Sequence, residues 1–110
     1  MSLLKSLRQN LREGFLTRNS PQDIFSEYAR SNKWGDKDSL SGKGSNLETT
    51  SELRQKLPKF LKELGVQQLV DVPCGDFFWM SQVDLGGIKY LGGDIVPSLI
   101  AANQQKHRRR

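Results

Sequence analysis

The chain has 110 residues, of which 35% are hydrophobic and 26% are charged, a composition typical of one small globular domain. Its 17 Lys and Arg residues exceed its 12 Asp and Glu residues, and the resulting charge of +5 favours anionic partners without identifying any. Cys74 is the single cysteine, which excludes an internal disulfide and favours a reducing, cytoplasmic setting.

The first predicted element is an amphipathic helix over residues 3–13, with Gly14 as its expected end. Its apolar positions recur at helical spacing, and they are Leu3, Leu4, Leu7, Leu11 and Phe15. The segment lacks the continuous apolar run of a secretory signal, so we interpret it as a docking helix, with an organelle presequence as the alternative. No stretch of the chain approaches the roughly 20 apolar residues of a membrane span, and no membrane partner is expected.

A second helix is predicted to start at Ser20, which would cap it, with Pro21 in the first turn and Asp23 near its positive end. Its expected buried stripe consists of Ile24, Phe25 and Tyr28. Residues 31–46 are rich in Ser, Gly, Asn and Asp, which predicts a loop. This loop holds one large aromatic residue, Trp34, which we interpret as a packing anchor rather than as a lid over a substrate.

A third helix is predicted directly after a capping box formed by Ser45 and Glu48. The apolar face of this helix consists of Leu53, Leu57, Phe60, Leu61 and Leu64. Pro58 is expected to kink or restart the helix, and Gly65 is expected to end it in a left-handed conformation.

Two predicted strands follow. Residues 66–73 contain the apolar run of Leu69, Val70 and Val72, which is typical of a parallel strand covered on both faces. A short helical segment near residues 77–83 and a turn at 84–87 lead to a second strand at 88–95, and Pro97 opens a further helix. The chain closes with His107 among Lys106, Arg108, Arg109 and Arg110, and we interpret this stretch as a solvated tail rather than a nucleic-acid site.

The order of strand, tight turn, helix, strand and helix predicts an α/β fold, the front part of a doubly wound parallel sheet preceded by N-terminal helices. Ligands of such sheets bind beyond the carboxyl ends of the strands, where the turn at residues 73–77 is expected to lie. A dinucleotide would need glycine at Pro73, Gly75 and Phe78, so that its pyrophosphate can contact bare backbone. Because only Gly75 meets this need, a dinucleotide-dependent oxidoreductase is disfavoured.

The stretch LVDVPCGDFFWM, followed by YLGGDIV, resembles motifs I and II of the class I, Rossmann-like S-adenosylmethionine-dependent methyltransferases. Motif I of that family carries an acid and three glycines, and the matching positions here are Asp71, Pro73, Gly75 and Phe77. The resemblance implies that Asp71 orients the cofactor's amino group or the loop itself, and that Gly75 lets the methionine moiety approach the backbone. It also implies that Asp94, about 20 residues beyond Gly75, accepts hydrogen bonds from the ribose hydroxyls, with Ile95 against the adenine.

The cofactor-binding set implied by this resemblance is Asp71, Pro73, Cys74, Gly75, Asp76, Asp94 and Ile95. Upstream, WGDKDSLSGKGSNLETT resembles the segment that covers the cofactor in some of these enzymes, with the capping box as the alternative role of Ser45 and Glu48. The alternative for Asp71 is a purely structural role, in which it bonds backbone N–H groups of its own turn. Cys74 is interpreted as a small buried hydrophobe rather than a nucleophile, and one histidine with one cysteine excludes a metal site.

Members of this family build several more strands than the two predicted here. We assign residues 1–65 to a cap region and residues 66–110 to the first βαβα portion of the cofactor-binding domain. Two strands alone would leave five apolar side chains half-packed, namely Leu69, Val70, Val72, Leu91 and Ile95. We therefore expect a domain that is cut short in this chain, or a sheet that a partner or a second copy completes.

The expected function is S-adenosylmethionine binding by the front part of a methyltransferase that is inactive alone. A catalytic base stays unassigned because no residue of the chain can be given that role. The methyl acceptor stays open because the residues that select it in this family usually lie in the later part of the domain or in the covering loop. The alternatives from other classes are a noncatalytic interaction module, which would use the exposed strand edge or the first helix, and a basic nucleic-acid-binding protein.

Overall fold

The structure is a computed structural model that describes residues 2–107, apart from the side chains of residues 15–17. Within this range it has four α-helices and a two-stranded parallel sheet, so the fold is mixed α/β, in agreement with the expected class. The helices are α1 (Leu3–Arg18), α2 (Pro21–Ser31), α3 (Ser51–Glu63) and α4 (Pro97–Lys106). The strands are β1 (Gln68–Asp71) and β2 (Lys89–Gly92), and short 3₁₀ turns lie at Lys43–Ser45 and Met80–Gln82. The predicted apolar role of the Phe15 side chain and the predicted tail residues Arg108, Arg109 and Arg110 lie outside the described residues.

The N-terminal helix α1 is longer than predicted. Ser2 Oγ accepts a hydrogen bond from Lys5 N at 3.3 Å and thereby caps the first turn. The helix continues through Gly14 to Arg18, so the predicted end at Gly14 is wrong. A glycine inside a helix costs about 1 kcal/mol relative to alanine, which is too little to end a helix by itself. None of the described helices is both long and apolar enough to cross a membrane.

The start of α2 is confirmed. Ser20 Oγ accepts a hydrogen bond from Asp23 N at 3.2 Å, Asp23 Oδ2 accepts one from Ser20 N at 3.3 Å, and Pro21 occupies the first turn. The predicted buried stripe is wrong, because Ile24 and Tyr28 are half-buried and Phe25 is exposed. The buried residue of this helix is Ala29, which packs with Val96 and Leu99 in a small core shared with the start of α4.

The start of α3 differs from the prediction. The capping box at Ser45 and Glu48 is wrong, because α3 begins at Ser51. Asn46 forms the preceding turn instead: its Oδ1 accepts from Thr49 N at 2.8 Å, and its carbonyl accepts from Thr50 Oγ1 at 2.7 Å. Ser45 and Asn46 compete to organise this turn, because an asparagine side chain folds back onto nearby backbone as readily as a serine side chain does.

The rest of α3 follows the prediction in part. The helix continues through Pro58 without restarting, and Leu61 is its buried residue among the predicted apolar face. Gly65 has φ +68°, and Val66 N donates to the Leu61 carbonyl at 3.0 Å, so the predicted left-handed end is confirmed.

The sheet pairs β1 with β2 in parallel, with Leu69 opposite Tyr90 and Val70 opposite Leu91. Both strands have four residues and are shorter than predicted. The short helical segment predicted near residues 77–83 is a three-residue 3₁₀ turn at Met80–Gln82. Pro97 opens α4, as predicted.

The two faces of this sheet differ in burial. Leu69 and Tyr90 pack on a core of buried Phe77, Met80 and Val83. The other face is open, and its apolar side chains are largely exposed: Val70, Val72 and Leu91. The prediction that β1 is covered on both faces is therefore wrong within the described chain, while the expected shortage of packing is confirmed for these three residues and for Ile95.

Candidate functional site

A cavity of about 390 Å³ opens at the carboxyl ends of β1 and β2, and its volume lies in the range of small-molecule pockets. All seven residues that the sequence pointed to line this cavity: Asp71, Pro73, Cys74, Gly75, Asp76, Asp94 and Ile95. They come together because β1 and β2 are parallel neighbours, so the segments that follow the two strands emerge at the same edge.

The turn after β1, residues 72–77, is called the elbow here. It is joined to the end of β2 by Cys74 N, which donates to the Gly93 carbonyl at 2.8 Å. Both Gly75 and Phe77 have positive φ, at +58° and +59°, although glycine is the residue that adopts this region without strain. Phe77 therefore holds a glycine-like backbone conformation at the third glycine place of the motif. Its ring is 6% exposed and lies 4.9 Å from the Tyr90 ring, and this burial offsets the backbone strain.

Asp94 links the elbow to α4. Its Oδ2 accepts a hydrogen bond from Gly75 N at 2.9 Å, and its Oδ1 accepts one from Val96 N at 2.9 Å. A carboxylate offers about four acceptor positions, so these two bonds leave capacity for hydroxyl groups of a ligand. Asp94 is thus both a structural link and an acceptor at the rim of the cavity.

Asp71 has a partner that the sequence did not indicate. Its Oδ2 accepts a hydrogen bond from the Tyr90 hydroxyl at 2.7 Å, so the alternative in which it bonds only backbone groups of its own turn is wrong. Burial of the ring, followed by this hydrogen bond, raises the pKa of Tyr90, so the phenol stays protonated as the donor. Asp71 Oδ1 accepts no hydrogen bond from residues 2–107 and is the oxygen available to a ligand.

Residues 36–46, called the strap here, lie against the elbow. The Asp76 carboxylate accepts hydrogen bonds from Ser39 Oγ at 3.0 Å and from Leu40 N at 2.8 Å. In return, Asp76 N donates to Ser41 Oγ at 3.3 Å. A Cβ atom on Gly75 would collide with Ser41 Oγ, so on this side the space above Gly75 is filled by the strap.

The strap has an internal support at Asp36, which is 7% exposed. Its carboxylate accepts hydrogen bonds from Asp38 N at 2.8 Å, Asn46 Nδ2 at 3.1 Å and Ser39 N at 3.0 Å. The bond from Asp38 N, followed by that from Asn46, holds the pKa of Asp36 below its ordinary value. Asp36 therefore fixes the strap in the shape that presents Ser39 to Asp76.

Aromatic side chains form another part of the cavity wall. Trp34 is 42% exposed, lies 6.3 Å from Phe25 in a stacked arrangement and meets Tyr28 edge-on at 5.3 Å. Trp34 thus anchors its loop by packing on α2, as expected, but it also lines the cavity together with Phe25 and Trp79.

The charge of the cavity is negative. Among the described residues that line it, three are aspartates and none is Lys, Arg or His. Asp71, Asp76 and Asp94 form no ion pair with residues 2–107. Such a wall attracts cations and repels phosphate groups. It also affects Cys74: burial, followed by the charges of Asp94 and Asp71, raises the pKa of its thiol, which disfavours a thiolate nucleophile.

The structure adds residues that the sequence did not single out. Ser39, Ser41 and Tyr90 are described above, and Asn103 Nδ2 donates to the Gly75 carbonyl at 2.9 Å. The contacts of Ser39, Ser41 and Asn103 join residues that are 28 to 37 positions apart, and the contact of Tyr90 joins adjacent strands. No local sequence pattern predicts such contacts. The prediction of a solvated His107 is wrong, because its ring is half-buried and meets Phe77 edge-on at 4.9 Å. The described residues contain no cluster of three side chains able to hold a metal ion.

Comparison of the chain with protein-family models, with curated proteins and with solved structures finds no match. The function of the cavity therefore has to be inferred from its lining residues. Chemically, they suit an organic ligand with hydroxyl groups, a positive charge and no phosphate.

Proposed function

We propose that this chain binds S-adenosylmethionine in the cavity at the ends of β1 and β2, as the front part of a Rossmann-like methyltransferase domain. The observation that carries the proposal is the convergence of Asp71, Gly75 and Asp94 at the carboxyl ends of adjacent parallel strands. This edge is where open parallel sheets bind their ligands.

The lining residues fit the functional groups of this ligand. Asp94 has acceptor capacity for the ribose hydroxyls, and Asp71 Oδ1 has capacity for the ammonium group. The sulfonium is a cation, and aromatic faces such as those of Trp34 and Trp79 stabilise cations near them. The pyrophosphate of a dinucleotide would instead be repelled by three carboxylates that have no ion-pair partner within residues 2–107.

The chemistry supplied by the cofactor is donation of a methyl group, and the contribution of this chain is binding and orientation. The Tyr90 hydroxyl already donates a hydrogen bond to Asp71, and its raised pKa keeps it protonated. Cys74 is likewise kept as a thiol. We therefore assign no catalytic base within residues 2–107 and leave the class of methyl acceptor open.

The test is a calorimetric titration of the chain with S-adenosylmethionine, with Trp34 and Trp79 emission as a second readout. Loss of a hydrogen bond to a charged group costs about 1.5–3 kcal/mol, so Asp94→Asn should weaken binding by at least about tenfold. Asp84→Asn is the matched control, because Asp84 accepts from Gly86 N in an exposed turn that asparagine can also form. Asp84→Asn should bind as tightly as the unmodified chain.

Two results would contradict the proposal. The first is a flat titration of protein whose helix content is verified by circular dichroism. The second is equal affinity of Asp94→Asn and the unmodified chain, since it would show that ligand binding does not involve the elbow cavity.

A noncatalytic interaction module is a second candidate, and the open face of the sheet favours it. Val70, Val72 and Leu91 are 59%, 69% and 58% exposed, whereas parallel sheets are ordinarily covered on both faces. Light scattering after size-exclusion chromatography tests whether a second copy covers this face. Assembly that Val72→Asp abolishes would support the module, whereas a monomer at every concentration would argue against a second copy.

A further inference from the structure

Four leucines of α1 are exposed: Leu3 by 78%, Leu4 by 62%, Leu7 by 52% and Leu11 by 74%. At 3.6 residues per turn they fall within an arc of roughly 100° on one side of the helix, called the leucine face here. A continuous apolar face of this kind on the surface marks an interaction site. It is separate from the elbow cavity, since none of the α1 residues whose side chains are described lines that cavity.

Cations border the leucine face on one side. Lys5, Arg8 and Arg12 are exposed, and the helical period places all three beyond the same edge of the leucine face, Arg8 by about 40° and Arg12 and Lys5 by about 80–100°. Glu13 is the one acidic residue of α1, and the same period places it beyond the other edge of the leucine face, about 80° from Leu3. With Arg18, the helix carries four positive charges against one negative charge, a net charge of +3.

This pattern favours an anionic surface over a second copy of the chain. Each α1 helix carries a net charge of +3, so two helices packed through their leucine faces would repel each other, most strongly in an antiparallel pair, which brings both rows of cations to the same side. On an anionic bilayer, leucines enter the boundary of the acyl chains while the long stems of Lys and Arg reach up to the headgroups. Each such cation is attracted by the negative surface potential of the lipids.

We propose that α1 lies in the plane of an anionic membrane surface, with the leucine face towards the acyl chains and Lys5, Arg8 and Arg12 on the phospholipid headgroups. This revises the expectation that the chain has no membrane partner, because the helix would lie on the bilayer rather than span it. The proposal does not depend on the ligand of the elbow cavity.

The test is co-sedimentation of the whole chain with vesicles of phosphatidylcholine, alone or mixed with anionic phosphatidylglycerol. The chain should sediment with the mixed vesicles and not with the neutral ones, and sedimentation should fall as salt screens the charges. The triple variant Lys5→Gln, Arg8→Gln, Arg12→Gln should bind roughly 100-fold more weakly, because each of the three cations contributes a factor of about five. The double variant Leu7→Gln, Leu11→Gln should lose sedimentation as well.

A matched control removes the same charge elsewhere. Lys56, Lys59 and Lys62 are exposed on α3, and changing all three to Gln should leave sedimentation unchanged. Circular dichroism of each variant verifies that its helix content is preserved.

Three results would overturn the proposal. They are equal sedimentation with neutral and mixed vesicles, an equal loss in the α3 control, and no sedimentation of the folded chain with either vesicle. A concentration-dependent dimer that Leu7→Gln, Leu11→Gln dissociates, together with absence of vesicle binding, would assign the leucine face to a second copy instead.

Discussion

The two faces of the β1–β2 sheet are formed by alternate residues of the same two strands, yet one face is packed and the other is open. The packed face is covered by residues 77–83, which leave the elbow and return to β2. To cover the open face, a segment other than the connection between β1 and β2 would have to pack on it. A connection between two parallel strands can cover one face of the sheet by itself. It starts at the carboxyl end of one strand and has to run back along the sheet to the amino end of the next.

The largest expected effect compares a phenylalanine that packs on the covered face of the sheet with one that is exposed on α3. Phe77 is 6% exposed in the packed core and Phe60 on α3 is 56% exposed. Phe77→Ala should lower the free energy of unfolding by about 3–5 kcal/mol, because it removes buried surface and leaves a cavity. Phe60→Ala should lower it by about 1 kcal/mol or less. Urea denaturation of both variants measures the difference, and similar losses would mean that the packed face is not the stable part of the chain.

A second comparison is between two glycines, one in the elbow and one in the turn that precedes β2. Gly75 and Gly86 have nearly the same φ, +58° and +56°, but a Cβ would meet Ser41 at the first position and nothing within 4 Å at the second. A left-handed alanine costs about 1–2 kcal/mol, which is the loss expected for Gly86→Ala. Gly75→Ala should lose about 1–3 kcal/mol more, because the strap must also move.

Urea denaturation measures these two losses, and protease cleavage within residues 36–46 reports on the strap. Faster cleavage in Gly75→Ala alone is the expected result. Equal stability and equal cleavage in the two variants would show that Ser41 does not pack on the elbow.

The smallest expected effect concerns the hydrogen bond on the packed face. Tyr90→Phe removes the donor to Asp71 and should cost about 1.5 kcal/mol, whereas Tyr28→Phe should cost little, since no hydrogen bond of its hydroxyl is found within residues 2–107. Because the pKa of Tyr90 is raised in the folded chain, its contribution is fully present below the ordinary tyrosine pKa of about 10 and is lost as the pH rises above that value.

Denaturation of the unmodified chain and of Tyr90→Phe at neutral pH and at about pH 11 measures this contribution. The difference in stability between the two proteins should narrow at the higher pH. A constant difference would show that the phenol of Tyr90 is not held in its protonated form.

The start of α2 and the end of α3 were predictable because their signals are local. Ser20 with Asp23 and Gly65 with its two neighbours satisfy backbone groups within one turn, whatever the rest of the chain does. The start of α3 was predicted wrongly because Ser45 and Asn46 offer competing local bonds, and the one that Asn46 makes is the one formed.

The candidate site likewise has one part that the sequence predicted and one part that it did not. The convergence of Asp71 and Asp94 was predictable from the parallel order of the strands, which needs no knowledge of side-chain contacts. The contacts of Asp76 with Ser39 and of Asp71 with Tyr90 were not, because they depend on how separate segments pack.

Periodicity and hydrogen bonds within a few residues were enough to predict the mixed α/β class, the start of α2, the end of α3 and the edge of the sheet at which the candidate residues gather. Tertiary structure alone decided that the strap fills the space beside Gly75, that Phe77 takes a glycine-like backbone and that one face of the sheet stays open. Burial and long-range hydrogen bonds arise only when distant segments come together in space, so the spacing of residues along the chain does not specify them.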